Sequence, residues 1–402
     1  MAARVFRAME SHPVRTVFAV ALAVRAALAV LVYAFSGGSL FLDDESYSRL
    51  AEQAANGQNA GWDAYLDFLY ERTGILLWPI TGIYEVIGPV ELGGQLYVAL
   101  LGALAAALIV RLALEVVDAR WALLAGLIVA LLPSQVLWSS VIMKDAAVWA
   151  LLAGIAVTVA VANRSTGWRL ALLGALTALL CIALGYLRLH TLEVAVVAVA
   201  TASVFGIREA RVPRLAGAAA ILLLVPLVFS MGVAGGTFVA GQSGALQEQR
   251  SNNAELAETP VAPPGDGEEA LAGDGEEALA ADISYLPTGL AVMALRPFPW
   301  ESGSGSEGVK LARGESVLWY IVLAFALVGL TTIRGRMRAL AFPLAAGGAI
   351  FVIYALTEGN LGTAFRHRGE FVGIVALLAA LGAKRLWDAR GKRRRAGEAA
   401  PA

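Results

Sequence analysis

The stretch SLFLDDESYSRLAEQ, residues 39–53, places Asp43, Asp44 and Glu45 directly after about twenty mostly apolar residues. An apolar run of that length is enough to cross the ~30 Å hydrocarbon core of a bilayer as a helix. The three acids therefore lie at a membrane surface. They are either solvated loop residues or the reactive end of a membrane enzyme, and the rest of the sequence has to distinguish the two.

The composition is that of an integral membrane protein. Of the 402 residues, 58% are hydrophobic and 16% are charged, whereas soluble domains carry about 25% charged residues. The single cysteine, Cys181, lies in an apolar block, which excludes a disulfide framework within the chain and a CxxC-type metal site. We predict an all-α polytopic membrane protein.

Ten blocks are long and apolar enough to cross the membrane as helices: 16–36, 92–113, 121–141, 146–162, 169–187, 191–207, 215–235, 316–332, 339–357 and 371–386. The first is longer than the apolar region of a signal peptide, so we expect an uncleaved helix. An eleventh block, 74–89, is short and contains Pro79 and Glu85. We expect it to lie along the outer surface.

The basic residues define the sidedness. Most of them fall in short loops on one side of these spans and in the tail KRLWDARGKRRR, which makes that side and both termini cytoplasmic by the positive-inside rule. The resulting organisation is a membrane module 1–235 with a first outer loop 37–91, an extracytoplasmic loop 236–315, C-terminal helices 316–386 and a basic cytoplasmic tail 387–402.

The long outer loop contains a tandem acidic repeat. GDGEEALA occurs at 265–272 and again at 273–280, next to a Pro-rich run. Such a composition cannot bury enough apolar surface to offset the entropy of the chain. We expect disorder over 247–283 and order again from residue 284.

The acidic triplet begins a short amphipathic helix. One helical face carries Tyr47, Leu50, Ala51 and Ala54. Asp43 or Asp44 can cap the start of this helix, and Gly57 can end it. We expect the helix to lie on the membrane surface where the first span ends.

Further polar side chains are expected at the same outer face. They come from PSQVLWSSVIMKD, YLRLH and AFRHRGE, and they are Lys144, Asp145, Arg188, His190, Arg366, His367 and Arg368. Arginines on the outer side are disfavoured by the positive-inside rule. Arg366 and Arg368 either clamp a phosphate, which arginine binds bidentately, or snorkel and pair with Glu358 and Glu370. Arg188 has Glu193 as an alternative partner.

Arg25 lies in the middle of the first span. A charge at that depth costs roughly 2.5–3.5 kcal/mol on insertion scales, so the side chain should face the protein interior. We expect a structural role rather than a catalytic one.

These features together resemble the GT-C superfamily of polyprenyl-phosphate-dependent glycosyltransferases. The matching features are the first span, the Asp-led acidic motif with Tyr47, the interfacial helix, and the Pro…Ser…Asp segment 133–145. Protein O-mannosyltransferases and lipid A aminoarabinose transferases are the most similar group. The resemblance covers about residues 15–210 and, beyond them, PFPW at 297–300 and the Arg-rich outer edge. It implies a bundle of about ten membrane helices with interfacial helices in the first outer loop.

The resemblance also implies an activity. Such an enzyme transfers a sugar from a polyprenyl-phosphate donor to an envelope glycan, lipid or protein outside the plasma (inner) membrane, with inversion and with an Asp as the base. The family's Asp-Glu pair maps onto Asp44-Glu45, whereas its Asp-to-Tyr spacing maps onto Asp43 and Tyr47. Asp43, Asp44 and Glu45 are the candidate catalytic residues, with Asp43 favoured. Tyr47 joins the seven outer-face residues above as a candidate for substrate binding.

The residue spacing does not indicate zinc, and it leaves open a divalent ion between Asp43 or Asp44 and Asp145. Three other functions compete. They are a polymerase or ligase of lipid-linked oligosaccharides, a transporter or flippase of a lipid-linked sugar, and a structural subunit of an envelope complex. Transporters bind substrates near the bilayer midplane, whereas the polar clusters here lie at one face. Nucleic acid is not an expected partner.

Overall fold

The computed structural model describes residues 9–57, 73–206, 250, 276–301 and 307–398. These residues fold into α-helices, and short loops join the helices wherever the chain between them is described. In chain order the helices are α1 (Pro13–Ser36), α2 (Leu42–Ala55), α3 (Gly74–Ile87), α4 (Glu91–Ala113), α5 (Ala119–Leu131), α6 (Pro133–Leu137), α7 (Asp145–Ala162), α8 (Gly167–Leu187), α9 (Leu189–Ser203), α10 (Glu276–Leu295), α11 (Glu307–Leu330), α12 (Met337–Thr357), α13 (Leu361–His367) and α14 (Gly369–Glu398).

The protein is an all-α, multi-pass membrane protein, as predicted. Within the described ranges, six helices are long and apolar enough to cross a bilayer: α1, α4, α7, α8, α11 and α12. Four shorter apolar stretches, in α3, α5, α9 and α10, accompany them. α3 has 14 residues, too few to span ~30 Å as a helix, and it packs against α2 and α4.

Two helices form the centre of the bundle. α4 and α7 are apolar on all sides and are buried along most of their length, as expected for helices without an amphipathic pattern. α1, α5 and α7 pack around α4. The buried residues of α4 are mostly alanine, glycine and valine, and such small side chains let helix backbones approach closely.

Helices α11 and α14 pack even more closely. A Cβ atom placed on Gly329 would collide with the carbonyl oxygen of Leu378, and one on Gly382 would collide with that of Phe325. Glycine at both positions therefore allows the two backbones to touch, which is the small-residue packing typical of membrane helices.

The predicted span 121–141 is not one helix, and that expectation was wrong. α5 ends at Leu131, Leu132 is extended (ψ 123°), and Pro133 begins the short helix α6. Proline lacks an N–H and disfavours the α conformation of the residue before it. The helix therefore breaks at Leu132–Pro133.

Arg25 of α1 fills this break. Its side chain is fully buried and its Nε donates to Ser139 Oγ at 2.7 Å. Its other nitrogens donate to the backbone carbonyls of Ala21, Val129, Ala130 and Gln135. The guanidinium thus satisfies carbonyl groups at the break, and the prediction that this side chain faces the protein interior is confirmed.

Three other predicted boundaries differ from the structure. The span 191–207 is a shorter α-helix, α9, followed by a 3₁₀ turn, Val204–Gly206. The last span continues without interruption through the predicted tail to Glu398. Residues 276–283, which were predicted to be disordered, begin α10, and the Glu-, Ala- and Leu-rich end of the repeat favours helix. The rest of that predicted segment, 247–275, lies outside the described residues except for residue 250. The span 215–235 lies outside the described residues.

Candidate functional site

Six chain segments bring polar side chains to one end of the helix bundle. They are the starts of α2, α7 and α14, the junction of α8 with α9, the end of α12, and α13. Acidic residues stand in the first turn of α2, α7 and α14, where the positive end of the helix dipole favours a carboxylate.

The three acids of the triplet have different environments. Asp44 is buried and accepts from the backbone N–H groups of Leu40 and Phe41 at 2.9 and 3.0 Å, so it caps α2. Burial raises the pKa of Asp44, against the lowering effect of these hydrogen bonds. Glu45 is exposed and pairs with Arg49 one turn later on the same helix. Asp43 is the acid that faces the other polar segments.

Asp43 begins a chain of alternating charges. Arg366 Nη1 lies 2.8 Å from Asp43 Oδ2, and Arg366 Nε lies 2.8 Å from Asp145 Oδ2. Arg188 Nη2 lies 2.6 Å from the other oxygen of Asp145, and Arg188 Nη1 binds Glu370. Five side chains from separate segments therefore form one continuous network.

The network runs from solvent into the protein interior. The Asp43 side chain is 57% exposed and that of Arg366 is 14% exposed, whereas Asp145, Arg188 and Glu370 are buried. Buried charges are stable only when each has a partner and its remaining hydrogen-bonding groups are satisfied. Alternation meets this need, because each internal member contacts two groups of opposite charge.

Tyr354 ties the inner end of the network to two further residues. Its hydroxyl group accepts from Arg188 Nη1 at 2.8 Å and donates to Glu370 Oε1, and it lies 3.1 Å from His190 Nε2. Thr191 Oγ1 donates to Glu370 Oε2 at 3.1 Å. These contacts fix the orientation of Arg188 and Glu370.

His367 stacks on Tyr354, with ring centroids 4.4 Å apart, and its Nδ1 contacts Glu358 Oε1. Burial raises the pKa of Glu358 to about 8 and lowers the pKa of His367 well below its usual value. Near pH 7 the contact is therefore a hydrogen bond from a neutral carboxylic acid to a neutral imidazole. This pair adds no net charge to the site.

Lys144 and Tyr47 flank the charged chain. Burial, reinforced by the charge of Arg188, lowers the pKa of Lys144 to about 8. Tyr47 stands one helical turn after Asp43, and burial raises the pKa of its hydroxyl group. Both side chains are half-buried and interact electrostatically with Asp43 and Arg366, so they flank the opening at which Asp43 is exposed.

The structure does not bring Arg368 to this site. Its Nε donates to the carbonyl of Met293 at 3.1 Å, its Nη2 donates to that of Arg296, and its guanidinium lies 5.3 Å from the Trp319 ring centroid. Burial lowers its pKa to about 10. Arg368 therefore fastens the end of α10 to α11. Arg366 lies in α13, and Arg368 is the residue with helical backbone angles that directly follows its end. Side chains two positions apart on a helix point in different directions.

Sequence reasoning missed several members of the site. Tyr354 and Thr191 carry no motif signal, since each stands in an apolar helix. Glu358 and Glu370 flank the basic segment and were considered only as alternative partners of its arginines. Arg188 pairs with Asp145 and Glu370, and the local alternative, Glu193, is not among the acids it binds.

The arrangement can bind an anion beside an exposed carboxylate. Arg366 and Lys144 supply positive charge near the opening, and Asp43 supplies an oxygen that can accept a proton. Within the described ranges, no three His, Cys, Asp or Glu side chains group as metal ligands would.

No protein-family model matches the chain, and no curated protein matches its sequence. Its fold is similar to that of AglB, the oligosaccharyltransferase of Archaeoglobus fulgidus, in complex with an inhibitory peptide and a dolichol-phosphate (TM-score 0.54, 16% identity, covering 98% of this chain and 52% of that one). The apo form of the Archaeoglobus fulgidus oligosaccharyltransferase gives a TM-score of 0.55 at 15% identity, covering 96% and 52%.

The chain thus spans about half the length of these oligosaccharyltransferases. At this level of identity the similarity concerns the fold. The predicted bundle of membrane helices is therefore similar in fold to these oligosaccharyltransferases.

Proposed function

We propose that this protein is a membrane glycosyltransferase that takes its sugar from a polyprenyl-phosphate-linked donor. The observation that carries the proposal is the Asp43–Arg366 pair: an exposed carboxylate held 2.8 Å from an arginine that is anchored to the buried Asp145. Sugar transfer from a lipid phosphate needs a base for the acceptor and a cation for the leaving phosphate, and this pair offers both side by side.

Asp43 is the proposed base. In the transition state the acceptor hydroxyl forms a bond to the anomeric carbon and gives its proton to a carboxylate oxygen of Asp43. The bond from the anomeric carbon to the phosphate oxygen breaks, and the lipid phosphate leaves with the electron pair. Direct displacement inverts the anomeric centre. Asp44 is occupied in capping α2 and Glu45 in its pair with Arg49, which favours Asp43.

Arg366 and Lys144 are the proposed phosphate ligands. Arginine binds phosphate through two parallel hydrogen bonds, and both side chains lie at the opening. A phosphate at Arg366 competes with Asp43 for the same guanidinium. Donor binding therefore releases Asp43 at the moment when a base is needed, while Arg188 continues to hold Asp145.

The reaction is proposed to occur on the extracytoplasmic side of the plasma membrane, with both termini cytoplasmic. The distribution of basic residues supports this orientation. The similarity to an oligosaccharyltransferase solved with a dolichol-phosphate and a peptide supports a lipid-linked donor. The acceptor is proposed to be an envelope glycan, lipid or protein.

The test compares two neighbouring acids in membranes of a strain that lacks the protein. Asp43→Asn is expected to insert normally and lose at least 100-fold in transfer, because general-base catalysis contributes roughly 10²–10⁴-fold. Arg366→Ala is also expected to insert normally and to lose transfer, because the leaving phosphate loses its cation. Both variants should accumulate a polyprenyl-linked sugar detected by mass spectrometry. Glu45→Gln is the matched control and is expected to transfer like wild type.

Normal transfer by Asp43→Asn would contradict the assignment of the base. A transporter or flippase predicts a different result: substitution of Asp43 would leave the lipid-linked sugar on the cytoplasmic side. Protection of the accumulated lipid from a sugar-modifying reagent added outside sealed spheroplasts distinguishes these cases. An extracytoplasmic, reagent-accessible intermediate supports the transferase.

A further inference from the structure

Arg366 is a bridge between two carboxylates that are far apart in the chain. Its Nη1 and Nε reach Asp43 and Asp145 at the same distance, 2.8 Å. Asp43 stands in the first turn of α2 and Asp145 in the first turn of α7. Without a cation between them, these two negative charges would repel each other.

We propose that the guanidinium of Arg366 takes the position between Asp43 and Asp145 that a divalent metal ion would otherwise take, so that the site assembles around a side-chain cation. This inference rests on the proposed function for its catalytic meaning. The identity of the bridging cation does not depend on which sugar is transferred.

The local charges favour a guanidinium over a dication. Asp43 and Asp145 contribute two negative charges, and Arg366 with Arg188 already places two positive charges on them. Lys144 lies close by as a further positive group. A divalent ion would have to displace Arg366 and sit among the remaining cations.

The number of available oxygen ligands also disfavours a divalent ion at this position. Calcium takes 6–8 oxygen ligands, and magnesium takes six in near-ideal octahedral geometry. Both Asp145 oxygens are engaged by arginine nitrogens, and Asp44 is engaged by backbone N–H groups. In the part of the chain that is described, no third acid or histidine joins Asp43 and Asp145 in a metal-binding group.

The test is Mn²⁺ binding by the purified full-length protein in detergent, followed by electron paramagnetic resonance. Wild type and Asp43→Asn are expected to bind Mn²⁺ equally weakly, within twofold. Arg366→Ala is expected to gain one Mn²⁺ site that binds at least tenfold more tightly than wild type does. The double variant Arg366→Ala/Asp43→Asn is expected to lose this site again. Because this assay involves no sugar transfer, its outcome is separate from that of the proposed function.

Tight, stoichiometric Mn²⁺ binding by wild type that weakens tenfold or more in Asp43→Asn would overturn the inference. Folded Arg366→Ala that gains no Mn²⁺ site would overturn it as well, since the two carboxylates would then not need a bridging cation. If Arg366→Ala does not fold, the comparison of wild type with Asp43→Asn decides alone.

Discussion

Asp43 and Asp44 are neighbours in the chain, yet their carboxylates serve different parts of the structure. Asp44 is buried and binds two backbone N–H groups at the start of α2. Asp43 is more than half exposed and binds Arg366 from α13. Asp44 therefore stabilises the start of α2, whereas the preceding residue, Asp43, faces the charged opening.

Substitution of Asp44 tests this division. Asp44→Ala is expected to lower the free energy of unfolding by about 1 kcal/mol, the usual cost of a lost helix cap, while transfer activity per folded molecule stays within threefold of wild type. Thermal unfolding in detergent and a transfer assay with purified protein measure the two effects. Loss of activity without loss of stability would instead favour Asp44 as the base.

The pKa of Lys144 predicts an alkaline limit to donor binding. Lys144 is a cation below about pH 8 and loses its charge above it, so kcat/KM for the donor is expected to fall as pH rises through 8. Lys144→Arg should keep its charge and move this limb upward by at least one pH unit. A wild-type limb that is unchanged in Lys144→Arg would exclude Lys144 as its origin.

The pKa of Glu358 predicts a dependence of stability on pH. The pKa of Glu358 is about 8 in the folded protein, whereas its ordinary value is 4.5. Between these two pH values the folded state binds more protons than the unfolded state. The free energy of unfolding therefore falls as the pH rises. Between pH 7 and 8.5 the loss is about 1 kcal/mol. Neighbouring His367 is mostly neutral above pH 7 in both states, since its pKa is 6.5 as the ordinary value and is lowered in the folded protein.

Glu358→Gln provides the measurement. Glutamine is neutral at every pH and can still donate to His367. The variant's unfolding temperature is therefore expected to be less sensitive to pH between 7 and 8.5 than that of wild type. Equal pH sensitivity in the two proteins would show that another group titrates.

Arg25 is expected to be a stability residue. Arg25→Leu leaves the carbonyl groups around Leu132–Pro133 without donors, and we expect a loss of about 3 kcal/mol, since unsatisfied buried groups cost roughly 1–3 kcal/mol each. Arg15→Leu, at an exposed position of the same helix, is the control. Unfolding temperatures in detergent compare the two, and equal values would contradict the role assigned to Arg25.

Two glycines in membrane helices should respond in opposite directions to the same substitution. Gly382→Ala forces a methyl group against the Phe325 carbonyl of α11, so we expect α11 and α14 to separate and stability to fall. Gly348→Ala meets open space in α12 and should stabilise by up to about 1 kcal/mol through helix propensity. A thermal-shift assay of both variants distinguishes close packing from propensity.

Much of the site could be predicted because charged residues mark the ends of the apolar helices. The acids at 43–45, Asp145 and the basic segment 364–370 each interrupt an apolar run, and the alternation of apolar blocks brings such interruptions to the same face. Arg25 was interpretable for a similar reason, since a mid-span charge must find partners inside the bundle.

What could not be predicted depends on the direction in which each side chain points once the helices are packed. Arg366 and Arg368 are two residues apart, and only their helix geometry sends one to Asp145 and the other to Met293. Tyr354 is an ordinary residue of an apolar helix until packing places its hydroxyl group beside Glu370. The block 121–141 is long enough for one span, and in the prediction this length outweighed the helix-breaking signal of Pro133.

The last helix has a mechanical consequence. α14 has 30 residues, so at 1.5 Å per residue it is a rod of about 45 Å, longer than the ~30 Å apolar core of a bilayer. Glu370 stands in its first turn and Arg395 in its last. The two therefore lie about 38 Å apart along one continuous helix. A tilt of about 3° would move one end by about 2 Å relative to the other, which is more than a hydrogen bond tolerates.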